Sequence, residues 1–219
     1  AASGTFYSNN TCVTPITSTT IAATTSSRTV YYKNSVAETA TLNADDNASN
    51  LTSGTLGVTI GPDHISIAGN SYAPSGTCQA YTITTKDTSN AQKAVLANLT
   101  IDLSQGVASG AFYSNNICTA GISQTSILAA QSSVTVYYKD INAEAITLSA
   151  VDHDGLLATG TLAIAMGPDH FTIAGNTSFK SGTCQSYAIS ARDAAGVLAN
   201  VNENTTVNLS DGAASGDFY

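Results

Sequence analysis

Four cysteines, Cys12, Cys78, Cys118 and Cys184, are the residues whose type and spacing most clearly suggest chemistry. Cys12 and Cys118 are 106 residues apart, and so are Cys78 and Cys184, so the four thiols occupy two positions of one pattern. Two thiols per repeat can form a disulfide, remain buried and reduced, or share a metal. A structural zinc needs four ligands, and two thiols with His64 in a chain without CxxC leave that set incomplete. An even, regular count in a small β-rich repeat points to a disulfide formed in an oxidising compartment, with Cys78 bound to Cys118 across 40 residues. By the same spacing, Cys184 pairs with Cys12 of the next unit, which lays copies head to tail. The rival pairing, Cys12 with Cys78 and Cys118 with Cys184, also uses all four thiols.

Other candidate chemistry is thinner. His64 and His170 share one repeat position, His153 stands alone, and the nucleophile-elbow, HExxH and phosphate-loop patterns are absent, so no catalytic residue and no cofactor are expected. Asp45, Asp46, Asp152 and Asp154 sit in acidic loops, and Asp63 and Asp169 sit beside Gly-Pro pairs. Calcium needs six to eight oxygens, and solvated turn residues are the expected reading, so no metal is assigned. Lys33 and Lys139, with Glu38 and Glu144 nearby, raise an isopeptide cross-link against a plain surface lysine. Tyr31 and Tyr137, the outward members of a recurring YYK, are interface candidates.

These residues recur because the chain does. GPDHISIAGN from Gly61 returns as GPDHFTIAGN from Gly167, SGTCQAY at 75–81 as SGTCQSY at 181–187, and TVYYKNSVAE at 29–38 as TVYYKDINAE at 135–144. AASGTFY at 1–7 returns as VASGAFY at 107–113 and AASGDFY at 213–219, always at the same offset of 106. That period exceeds a solenoid unit and is the size of a small domain.

Gly-Pro is the best boundary, since proline lacks the N–H of a sheet ladder and restrains the residue before it. On that phase, 61–166 is a complete repeat, 1–60 the C-terminal half of another, and 167–219 the N-terminal half of a third. The only methionine is Met166, so the expectation is a mature or internal piece of something longer. Three origins stay open: a window on a long filament polypeptide, separate chains completing one another by strand exchange, or an arbitrary cut.

Charged residues are only 10% of the chain, and polarity comes from Thr, Ser, Asn and Gly, a mixture that favours strands and turns. A net charge of −8 denies the basic surface that nucleic acid or anionic lipid requires. No apolar run approaches the roughly 18 residues of a membrane span, so no membrane insertion is expected from this segment. Short β-branched and aromatic runs predict strands at 65–68, 78–85, 99–103, 110–113, 123–129, 133–139, 144–150 and 161–165. Alternation in CQAYTIT and SVTVYYK aims Tyr81, Ile83, Val134, Val136 and Tyr138 at a core. Eight such strands in about 100 residues fit tandem immunoglobulin-like β-sandwich domains, an all-β fold.

The opening strand after Gly-Pro, YTITTKD at 81–87, NLTIDLS at 98–104 and TVYYKNSVAETATLNA at 29–44 carry a resemblance across the whole chain. It resembles bacterial immunoglobulin-like tandem repeats of giant surface and secreted proteins, including the invasin and intimin type; the cysteine pair departs from many of them. The resemblance implies a structural repeat of an extracellular fibre, stalk or filament at the cell surface, whose partners are copies of itself. The alternative it leaves is an adhesin module binding a ligand through sandwich loops, such as the retained Ser114, Asn115 and Asn116.

Overall fold

The computed structural model describes residues 3–106 and 109–212; Val107, Ala108 and the repeated phrase at 213–219 lie outside the described residues. The described residues contain strands and turns and no helix. In chain order the strands are β1 (Thr5–Tyr7), β2 (Pro15–Ile16), β3 (Tyr31–Lys33), β4 (Thr39–Ala44), β5 (Gly54–Thr59), β6 (His64–Gly69), β7 (Tyr72–Pro74), β8 (Gln79–Lys86) and β9 (Leu99–Gln105). They continue as β10 (Ala111–Tyr113), β11 (Gly121–Ile122), β12 (Gln124–Ile127), β13 (Ser133–Lys139), β14 (Ala145–Asp152), β15 (Gly160–Gly167), β16 (His170–Gly175) and β17 (Tyr187–Arg192).

β6 to β15 build two five-stranded sheets, ordered β11-β10-β13-β8-β6 and β12-β9-β14-β15-β7. Their inner faces share one core. Ile65, Ile67, Tyr81, Ile83, Phe112, Val136 and Tyr138 come from the first sheet, and Ile101, Leu103, Ile127, Ile146, Leu148, Ile164 and Met166 from the second. This is an immunoglobulin-like sandwich, with apolar side chains at alternate positions of each strand because successive side chains point to opposite faces. The Phe112 and Tyr138 rings meet edge-on, with centroids 5.2 Å apart.

Two expectations need correction. The strand expected at 123–129 is the shorter β12, and a strand not expected, β11, comes just before it: β11 pairs with β10 in one sheet, β12 pairs with β9 in the other, and the chain changes sheets at Ser123. β7 is a strand that the local sequence does not announce. It lies parallel to β15 at the sheet edge, where Pro74 needs to donate nothing to the ladder.

The sandwich is woven from its own two halves. β6 to β9 and β10 to β15 meet in four ladders: β8 with β13, β9 with β14, β9 with β12, and β7 with β15. Each flanking segment is the counterpart of one half of this weave. Among the described residues, β16 and β17 form a two-stranded sheet with each other, while 178–180 and 205–211, the counterparts of β7 and β9, form no strand. At the other end, β3 is three residues long where β13 is seven, and 18–21, the counterpart of β12, is irregular. Each missing strand has its ladder partner in the opposite half. Sheet pairing, not local propensity, decides these segments.

Candidate functional site

Cys78 and Cys118 form a disulfide, with Cα atoms 5.8 Å apart. Cys78 stands just before β8. Cys118 sits in the turn after β10 with a left-handed φ of 49°. That turn is shaped by Asn115, whose Oδ1 accepts the N–H of Thr119 at 3.0 Å and whose backbone oxygen accepts the N–H of Cys118 at 3.1 Å. The retained Ser114-Asn115-Asn116, a candidate ligand loop by sequence, therefore has a structural role, because it presents the thiol.

Cys12 and Cys184 are free, and their loops repeat the geometry of the bonded pair. Cys12 has φ 50°, and its N–H donates to the Asn9 oxygen at 3.2 Å. Thr183 Oγ1 donates to the Lys180 oxygen at 2.6 Å, as Thr77 Oγ1 does to the Pro74 oxygen at 2.6 Å. Gly182 and Gly76 have φ of 79° and 77°.

The second repeated feature is one that sequence reasoning missed. Asp87, at the end of YTITTKD, is 1% exposed and its carboxylate is filled with donors. Oδ1 accepts Ser89 Oγ at 2.5 Å and the N–H groups of Ser89 and Ala91, each at 3.0 Å. Oδ2 accepts the N–H of Ala37 at 3.3 Å, reaching out of the sandwich to the turn after β3. Thr88 Oγ1 donates to the oxygen of Ser35 in that same turn, at 2.5 Å. One repeat later, Asp193 Oδ2 accepts the N–H of Ala143 at 3.3 Å, and Ala195 N donates to the Ile141 oxygen at 3.2 Å. Buried Ser75 adds its hydroxyl to this second joint, accepting the N–H of Ala194 at 2.9 Å. The only sequence signal was an aspartate kept at one repeat position ahead of a turn.

The hydroxyl of Ser89, acting against the desolvation of burial and ahead of the N–H groups of Ala91, Ala37 and Ser89, holds Asp87 down to about 2. Lys93 Nζ lies 3.6 Å from Oδ2 and adds a favourable charge.

The acidic-loop residues have other employment. Asp152, expected to be a solvated turn residue or a calcium ligand, is buried, because its carboxylate accepts N–H groups from Asp154, Leu156 and Leu157 and closes the β14–β15 hairpin. Asp46, its counterpart, accepts those of Ala48 and Asn50. Asp45 and Asp154 are exposed. Asp63 and Asp169 each bond the histidine that follows, at 2.8 and 3.0 Å. Among the described residues, no three His, Cys, Asp or Glu converge on a metal-sized site.

Glu38 accepts from Ser3 and Asn34, and Glu144 accepts from Ser109 Oγ, so these carboxylates are engaged by neighbours other than Lys33 and Lys139. Tyr31 and Tyr137 are half-buried and stand opposite Tyr7 and Tyr113 on the neighbouring strand, which gives them a cross-strand neighbour within their own sheet. Two shallow hollows, of about 510 and 370 Å³, lie on the last segment against Phe171, Ile189 and Val201, the counterparts of core residues Ile65, Ile83 and Val95.

No protein-family profile matches the chain, and no curated protein is similar to it. Among solved structures, it is similar to the PKD domain of an M14-like peptidase from a Thermoplasmatales archaeon, at 17% identity over 48% of this chain and 95% of that one, with a TM-score of 0.32. A glycosyl hydrolase family 2 member from Bacteroides cellulosilyticus matches at 10% identity over 63% of this chain and 18% of its own, with a TM-score of 0.38. A beta-glucuronidase of glycoside hydrolase family 2 matches at 12% identity over 78% of this chain and 18% of its own, with a TM-score of 0.41. At these scores the likenesses add nothing to what the sheets themselves establish.

The sheets define an all-β protein built on a disulfide-bonded, immunoglobulin-like sandwich. The disulfide points to a compartment outside the reducing cytoplasm. No helix is long and apolar enough to cross a membrane among the described residues.

Proposed function

We propose that the chain is a run of structural repeats from an extracellular fibre or stalk of a bacterial surface protein of the invasin and intimin kind. In this reading 61–166 is one complete bead and the segments on either side belong to its neighbours. The observation that carries it is the joint seen twice: Asp87 to Ala37 and Asp193 to Ala143, each at 3.3 Å and each spanning 50 residues. A joint repeated at the period of the sequence fixes the angle between successive beads, and a string with fixed joints is a rod. Rods transmit force and hold distance, which is what a stalk does. The loop retained between copies shapes a cysteine turn, which removes the main support for a ligand loop.

Antibodies raised against residues 61–166 test the role on cells that produce the protein. Labelling along filaments on intact cells is expected. Labelling that appears only after permeabilisation overturns the extracellular fibre.

A further inference from the structure

The asparagine of an Asn-x-Ser/Thr triplet is the acceptor of N-linked glycans in proteins that leave the cytoplasm. The chain holds several such triplets, and its duplication sorts them. Asn98-Leu99-Thr100 returns 106 residues later as Asn204-Thr205-Thr206. The other triplets each meet a broken counterpart. Ile117 stands where Thr11 completes the triplet of Asn9, and Tyr72 where Ser178 completes that of Asn176. His153, Leu156 and Asp102 replace Asn47, Asn50 and Asn208 themselves. Asn98 therefore marks the acceptor position that both copies keep.

The fold presents this position outward. Asn98 is exposed and stands directly before β9. The Ala129 N–H donates to its Oδ1 at 2.9 Å. A backbone N–H can only donate, so the atom facing it is the amide oxygen, and Nδ2 is turned the other way. Nδ2 has no protein partner among the described residues. Joining a sugar to Nδ2 replaces one of its hydrogens and leaves Oδ1 in place, so the bond from Ala129 is compatible with the modification. Leu99 stands opposite Ile127 in the β9–β12 ladder, which makes Asn98 and Leu128 the next pair outward. Leu128 and Leu96 are each 60% exposed, so apolar surface lies on both sides of the amide.

We propose that Asn98 carries an N-linked oligosaccharide, which covers Leu96 and Leu128. The donor is an oligosaccharide on a lipid pyrophosphate, handled by a membrane oligosaccharyl transferase during export. Nδ2 bonds to C1 of the first sugar, and the bond from C1 to the pyrophosphate oxygen breaks. The lipid pyrophosphate leaves with that electron pair, and one amide proton passes to a base of the transferase. Thr100, whose hydroxyl completes the triplet, is half-buried on β9 opposite Ser126, so transfer precedes closure of the sheet. β9 emerges ahead of β12 and β14, its two ladder neighbours, and the acceptor is open at that stage. The inference needs export, to which the Cys78–Cys118 bond already points, and does not need the fibre role.

The test takes the protein purified from the cells that produce it. After reduction, trypsin frees residues 94–139, in which Asn98 alone heads an Asn-x-Ser/Thr triplet. The expected peptide carries the added mass of sugar residues, placed on Asn98 by electron-transfer fragmentation. Thr100→Ser should keep that mass and Thr100→Val should lose it, with the Cys78–Cys118 bond formed in both, which separates loss of the acceptor from misfolding. The bare peptide mass in the disulfide-bonded protein overturns the proposal. So does sugar confined to serine or threonine, and so does an added mass that persists in Thr100→Val. A bare Asn98 leaves the antibody labelling of filaments untouched, so the two readings fail separately.

Discussion

The carboxylate of Asp87 accepts the backbone N–H of Ala37, 50 residues earlier, and one repeat on Asp193 does the same for Ala143. The first bond joins the turn after β3 to the end of β8, and the second joins the turn after β13 to the end of β17. Each is made by a group already held by its own turn, so the latch is rigid before it is engaged.

Asp87→Ala should free the joint without unfolding the sandwich. The expected result is loss of exchange protection at the Ala37 amide with protection across β8 and β13 retained. Gly76→Ala should loosen the second joint by crowding: a Cβ there meets the Ala194 Cβ at 2.7 Å, and φ is +77°. Gly182→Ala meets no neighbour within 4 Å and serves as the comparison for backbone strain alone. Scattering from the two variants should show a wider spread of bead angles only for Gly76→Ala.

Acid should weaken the protein through the same residue. An unfolded aspartate titrates near 3.9, while Asp87 in the fold is held down to about 2. Between those values the unfolded chain binds more protons, so stability rises with pH there. The contribution is complete above about pH 4 and is lost as pH falls toward about 2. Thermal midpoints measured from pH 5 to pH 2 should fall less steeply in Asp87→Asn; parallel slopes would sink this assignment.

His153 titrates in the opposite sense. Its hydrogen bond from Nδ1 to Asp102 at 3.0 Å, and then the charge of Asp102, raise it above the ordinary histidine value. A raised group stabilises below its unfolded value and loses that contribution as pH rises through the folded one. The pair is exposed, so the effect on stability is small. Proton resonances of His153 should titrate above those of the Asp102→Asn variant.

Reducing the Cys78–Cys118 bond should cost the sandwich about 4 kcal/mol by the loop-entropy relation for a 40-residue loop. Pulled from its ends, the oxidised bead should release about 140 Å less chain than the reduced one, since 40 residues at roughly 3.5 Å stay locked. Equal extensions with and without reductant would refute the bond.

Ile83 and Ile189 occupy the same repeat position in different surroundings. Ile83→Ala removes a fully buried side chain and should cost about 2–5 kcal/mol. Ile189→Ala, at a position 39% exposed, should cost less than about 1 kcal/mol. Urea midpoints compare the two directly.

Most of the sandwich was legible because sheets speak in alternation. Tyr81, Ile83, Val136 and Tyr138 lie in the core where the period of two places them. What stayed hidden depended on partners far along the chain. β7 has three residues and a proline, and only β15, some 90 positions later, makes it a strand. The break at Ser123 reflects competition between two sheets, which no local window contains. The aspartate latch was invisible for a related reason: Asp87 reads as an ordinary turn residue until the preceding bead arrives. Asp152 misled in the same way, since a buried carboxylate serving three amides has the sequence of a solvated loop.

The four ladders between halves have a consequence for biosynthesis. A ribosome delivers β6 to β9 well before β13 and β14, so each newborn bead waits half-woven, its core face wetted, while some forty residues follow. Because consecutive copies nearly spell the same strands, a waiting front half meets several back halves that fit its register. Only order of emergence and tether length separate the correct partner from its neighbours. A chain of this kind is therefore exposed to crossed pairing between adjacent repeats, and slow translation through 110–140 is where such errors should concentrate.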